Sequence, residues 1–143
     1  MRALGVDLGA KRIGVAVSDT DGRVATPVAT VERTRDRAGT HRKLAELVAE
    51  WEAGIVVVGL PLSLDGSAGP AALAVQAEVA ELADVLAVPV VTHDERLTTV
   101  TAHHRLREQG VKGRRRTEVV DRTAAAVLLQ AWLDGDRRRR STE

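Results

Sequence analysis

Residues 4–19 read LGVDLGAKRIGVAVSD, two apolar runs on either side of a short Gly-Ala-Lys turn. The pattern predicts strands over 3–7 and 12–18 joined as a hairpin, and DTDG at 19–22 turns the chain into a third strand over 24–32. One residue has no packing reason to be there: Asp7, at the end of the first apolar run. Burying an unpaired carboxylate costs several kcal/mol or more. Asp7 therefore reads either as a cap on the Gly9 turn or as part of a site.

The rest of the chain extends the meander into an alternation of helix and strand. Leu44, Leu47, Val48 and Trp51 recur at helical spacing and predict a helix over 40–52. GIVVVG at 54–59 reads as a strand buried on both faces. A helix over 70–86, with Pro70 in its first turn, leads to a strand over 88–92. Thr98 begins a helix expected to run to Gln109 and stop at Gly110, and VKGRRR follows as a loop. Thr117 then caps a last helix with Val120, Ala124, Val127, Leu128 and Ala131 inward, and the arginines at 137–140 are expected to fray. The expected class is α/β: a mixed sheet, antiparallel meander then parallel strands, with helices on both faces. Residues 1–136 are expected to form one domain, and 137–143 a basic, disordered tail.

Composition narrows the function. There is no Phe, Tyr or Cys and only two Trp, so aromatic base stacking cannot be the main device and no thiolate metal site is available. No secretory signal and no apolar run of about 18 residues is present, which leads to the expectation of a cytoplasmic protein without a membrane span. Net charge is +1, unevenly placed. Residues 1–95 carry 9 Lys or Arg against 14 Asp or Glu, and residues 96–143 carry 12 against 6. A basic second part beside an acidic first part suits a polyanionic partner, and suits equally a solvated basic surface.

Asp7 has counterparts further along the chain. Asp94 and Glu95 end the last predicted strand, and Asp121 shares a helical stripe with Ala125 and Leu128. Each has an ordinary explanation, in a turn, an ion pair with Arg96, or a helix's first turn. Taken together, three carboxylates brought close repel one another unless a cation sits among them. All-oxygen ligands select a hard divalent ion, Mg2+ or Mn2+, and such ions act on phosphates.

The stretches GVDLGAKRIGVAVSD, GLPLSLDGSAGPAA, DERLTTVTAHHRL and DRTAAAVLLQAWL resemble, in order and spacing, the successive motifs of the YqgF/RuvX family of pre-16S ribosomal RNA nucleases and Holliday junction resolvase homologues. The resemblance spans about residues 3–133. It implies a ribonuclease H-like fold of about five strands, and it implies that Asp7, Glu95 and Asp121 are the acidic active-site residues. It further implies a structured RNA such as pre-rRNA as substrate, or branched DNA, whose two-fold symmetry would call for a homodimer. One departure is Arg122, where a small hydroxyl residue often follows the helix aspartate.

Around the carboxylates stand candidate phosphate contacts: Lys11 and Arg12 in the first turn, Arg96 beside Glu95, and Thr98 and Thr99 at a helix start. Lys112, Arg114, Arg115 and Arg116 form a basic patch just before the Asp121 helix. Plain turn charges, helix capping and a solvated loop are the competing readings. His103 and His104 are expected to be surface or helix-packing residues. Two rivals to a nuclease are an ATP-binding hairpin protein, which needs a second domain, and a nucleic-acid-binding module without catalysis.

Overall fold

The computed structural model describes residues 1–96, Thr98 and 114–141, with side chains of the last helix described over 122–139. Five strands form one sheet: β1 (Arg2–Leu8), β2 (Arg12–Ser18), β3 (Ala25–Glu32), β4 (Ala53–Leu60) and β5 (Val90–Asp94). Their order across the sheet is β3-β2-β1-β4-β5. The three opening strands pair antiparallel, and β4 and β5 join parallel to β1, as the predicted meander and crossovers require. Helices α1 (Arg37–Glu50) and α2 (Pro70–Val85) cover one face, and α3 (Arg114–Ser141) the other.

Alternation along the strands builds two cores of different character. Leu4, Val6, Ile13, Val15, Val56 and Val58 point toward α1 and α2 and pack on Leu44, Val48, Val75 and Leu82. The opposite face is small-residued, with Ala3, Gly5, Ala16 and Val57 beneath Ala124, Ala125, Leu128 and Leu129. Small side chains let α3 approach closely: a Cβ on Gly5 would lie 2.7 Å from Leu129 Cβ and 3.1 Å from the Ala125 carbonyl oxygen. At its far end α3 is stitched to β3, where the Ala25 amide and the Arg23 carbonyl bond to the Gln130 side chain at 2.9 and 2.8 Å.

Two expectations at α3 are corrected. The helix begins at Arg114, so Arg114, Arg115 and Arg116 lie in its first turn and not in a loop. Arginine is a good helix former, and nothing before Thr117 forces a stop. At the other end, residues 137–141 are helical where fraying was expected. Asp134 pairs with Arg137 and Asp136 with Arg139, each one turn on, and cations near a helix C-terminus are favoured by its dipole. The helix expected over 98–109 lies outside the described residues, as do His103 and His104.

Candidate active site

Because β1, β4 and β5 are parallel, their carboxyl ends share one edge of the sheet, the edge where such folds gather functional side chains. Asp7 is the penultimate residue of β1, and Glu95 directly follows β5. Both are buried, at 3% and 2% exposure. Alternation with Ala3 and Gly5 sends Asp7 to the α3 face. It stands opposite Gly14 on β2, and the β1–β4 register, carried on from Val6 and Val58, sets it beside Gly59. Asp7 thus sits between two positions without side chains.

Glu95 uses one of them. A Cβ on Gly59 would lie 2.5 Å from Glu95 Oε2 and 3.2 Å from Leu128 Cδ2, so the carboxylate lies over β4 on the α3 face. Adjacent strands are about 4.8 Å apart, so this carboxylate rests over the strand next to that of Asp7. The backbone of Glu95 is fixed as well. Its amide donates to the Leu60 carbonyl at 3.3 Å, and its own carbonyl accepts from the amide and the hydroxyl of Thr98 at 3.2 and 2.9 Å.

The sequence points Arg96 toward Glu95 or a phosphate; in the structure its guanidinium grips Asp94. Nε and Nη2 lie 2.8 and 2.6 Å from Asp94 Oδ2, and Nη1 reaches the Leu64 carbonyl at 3.4 Å. Hydrogen bonding from Arg96 holds the Asp94 carboxyl below its usual range. Lys11 is exposed and Arg12 half-buried in the turn that follows Asp7. In that turn the Gly9 amide donates to the Arg12 carbonyl at 3.0 Å, so the turn closes on its own backbone.

Asp121 lies within α3, and its side chain is outside the described residues. Its position follows from the helix. Leu133 lies near Gly22 at the amino end of β1, while Ala125 and Leu129 lie over Gly5, so α3 runs antiparallel to β1. Stepping from Gly5 to Asp7, and from Ala125 back one turn to position 121, moves the same way along the sheet. Thr99 and Lys112 lie outside the described residues, as do the side chains of Arg114, Arg115 and Arg116. Among the described residues no three acidic or imidazole groups come together as a metal-binding set, and two of the three expected carboxylates share one face.

Sequence reasoning passed over Gly14 and Gly59. The signal was present, because a glycine inside a strand marks a close approach. It also passed over a buried ion cluster of Arg33, His41 and Glu78, which come from the segment after β3, from α1 and from α2 with no common spacing.

Comparison with known proteins agrees with this architecture. The sequence profile of RuvX, described as Holliday junction resolvase, matches residues 1–135. A Streptomyces avermitilis protein named "Putative pre-16S rRNA nuclease" is 52% identical over 137 residues, covering 95% of this chain and 87% of that one. An Anaeromyxobacter protein of the same name is 50% identical over 135 residues, covering 94% and 98%. In three dimensions the chain is similar to Thermus thermophilus RuvC, with a TM-score of 0.56, 15% identity and 96% of both chains covered. That likeness establishes the ribonuclease H-like fold. From the profile over nearly its whole length and from relatives sharing half its residues, the chain belongs to the RuvX family.

Proposed function

We propose that this chain is a divalent-metal-dependent nuclease that hydrolyses phosphodiester bonds of structured nucleic acid in the cytoplasm, processing the 5' end of pre-16S ribosomal RNA. The reading is supported above all by the burial of Asp7 and Glu95 on one face at the carboxyl edge of the sheet. Burying two carboxylates on one sheet face is costly without a cation. The donor set is all oxygen, which fits Mg2+ or Mn2+. In this reading Asp7, Glu95 and Asp121 hold the ion, which when bound activates water and neutralises charge on the leaving oxygen.

The chain's own groups supply the remainder. Gly14 places no side chain opposite Asp7, and Gly59 leaves the space over which the Glu95 carboxylate rests. Lys11 and Arg12 in the adjoining turn offer cationic contacts to neighbouring phosphates. Arg114, Arg115 and Arg116 at the amino end of α3 offer contacts to the nucleic-acid backbone, and Lys112 and Thr99 are further candidate contacts by their residue type. Thr98 acts by fixing the Glu95 main chain, and Arg96 by fixing Asp94.

A second substrate, branched DNA, is favoured by the family's own description as Holliday junction resolvase. Resolving a two-fold symmetric junction would engage a homodimer. One experiment separates these readings: precursor-like RNA and a four-way DNA junction are each incubated with Mg2+ or Mn2+ and wild type or Asp7→Asn. Expected are RNA cleavage by wild type and only background cleavage by Asp7→Asn at unchanged RNA affinity. Mn2+ should raise the Tm of wild type alone. Preferential cutting of the junction would select the resolvase, and equal cleavage by both proteins would remove Asp7 from the chemistry. Binding without cleavage by wild type would leave a nucleic-acid-binding module.

A further inference from the structure

Away from the carboxylate edge lies a buried ionic cluster that the proposed chemistry does not use. Arg33, just past β3, donates through Nη1 and Nη2 to both carboxylate oxygens of Glu78 on α2, at 2.9 and 2.8 Å. His41 of α1 lies 2.8 Å from Glu78 Oε2, and since an ionised carboxylate only accepts, the imidazole N–H donates. Glu78 and His41 are 4% and 3% exposed. Burial alone would raise the Glu78 carboxyl; hydrogen bonds from Arg33 and His41 outweigh it and hold the group below its usual range.

The cluster points at the β1–β2 turn. Arg33 Nε donates to the Gly9 carbonyl at 2.8 Å, and the Arg33 amide donates to the Lys11 carbonyl at 3.0 Å. Side chain and main chain of one residue therefore grip the turn that begins two residues after Asp7. Buried ion sets of this kind often contribute little net stability compared with apolar packing, so their geometry is the more informative property. The planar arginine fork is what allows one residue to hold a carboxylate and a carbonyl together; a lysine ammonium cannot span both.

We propose that Arg33 is a positioning residue for Asp7: anchored by Glu78 and His41, it locks the β1–β2 turn and thereby sets the pose of the Asp7 carboxylate. This rests on the reading of Asp7 as an ion-holding carboxylate. The test compares wild type with Arg33→Lys and Glu78→Gln. Mn2+ affinity is measured by titration calorimetry, turn mobility by amide exchange in metal-free protein, and kcat and KM on precursor-like RNA.

Arg33→Lys should weaken Mn2+ binding and lower kcat by about 10-fold or more, the range seen when groups orienting a metal ligand are removed. KM should stay near the wild-type value, and the Gly9 amide should exchange faster. Glu78→Gln should shift the same readouts in the same direction. Normal Mn2+ affinity and kcat in variants with a lowered Tm, or failure of both variants to fold, would assign the cluster to stability alone and overturn the proposal. Asp7→Asn is the control: if it binds Mn2+ as wild type does, the carboxylate reading itself fails, whatever Arg33 does.

Discussion

Gly59 is where a single hydrogen atom in place of a side chain decides what the edge of the sheet can hold. Its missing Cβ is the space over which Glu95 Oε2 rests. Gly59→Ala puts a methyl 2.5 Å from that oxygen, and the flexible end of Glu95 must swing away. The fold should survive with a small change in Tm, while cleavage falls by about 100-fold, since a displacement of about 1 Å at a reacting centre has that effect. Full activity in Gly59→Ala would show that the Glu95 pose does not matter. At this scale the sequence was half legible. Asp7 and Glu95 stand out because a carboxylate at the end of an apolar strand is chemically misplaced. Gly14 and Gly59 merge into their apolar runs and look like ordinary strand residues. Arg33, His41 and Glu78 are legible only in three dimensions, because nothing in the chain order of three separate segments announces that they meet.

The elements themselves were readable wherever period and punctuation agreed. Alternation gave β1 and β2, the β-branched run gave β4, and Pro70 marked the start of α2. α3 was misjudged at both ends because consecutive arginines read as solvated loop or tail. Their helix propensity and one-turn pairing with Asp134 and Asp136 make them helical instead. How α3 sits on the sheet leads to a contrast with Gly59. In Gly5→Ala the new methyl would meet Leu129 Cβ at 2.7 Å and the Ala125 carbonyl at 3.1 Å, atoms at or next to the helix backbone that cannot swing aside. The whole helix must shift, and overpacking of this kind destabilises by about 1–3 kcal/mol. Chemical denaturation should show that loss, and an unchanged midpoint would mean that the contact of Gly5 with α3 does not limit how closely the two layers pack.

At the scale of the whole molecule, acid should loosen the fold through carboxylates whose folded-state pKa lies below the usual range. Glu78 is one, through Arg33 and His41; Asp19 and Asp65 are others, held by the Val24 and Arg23 amides and by Ser67. A depressed pKa means the folded state binds fewer protons than the unfolded chain. Their stabilisation is therefore complete above the ordinary carboxylate range and disappears as the pH falls through the folded values. Burial likewise holds the His93 imidazole below its usual range, so the Tm of the metal-free protein should begin to ease down as the pH falls through about 6.5 and decline more steeply below about 4.5, near the ordinary value for glutamate. Glu78→Gln should melt lower at neutral pH and decline less steeply in acid. An identical acid profile for the two proteins would exclude Glu78 as a contributor.

The strand order has a further consequence, for synthesis on the ribosome. β1 is made first yet lies third in the sheet, so one of its edges waits for β4, and its α3 face for the final helix. A nascent chain would carry Asp7 long before Glu95 and Asp121 have emerged. Under the proposed chemistry an incomplete polypeptide is harmless to the RNA around it, and cutting begins only once translation has passed the last of the three acids.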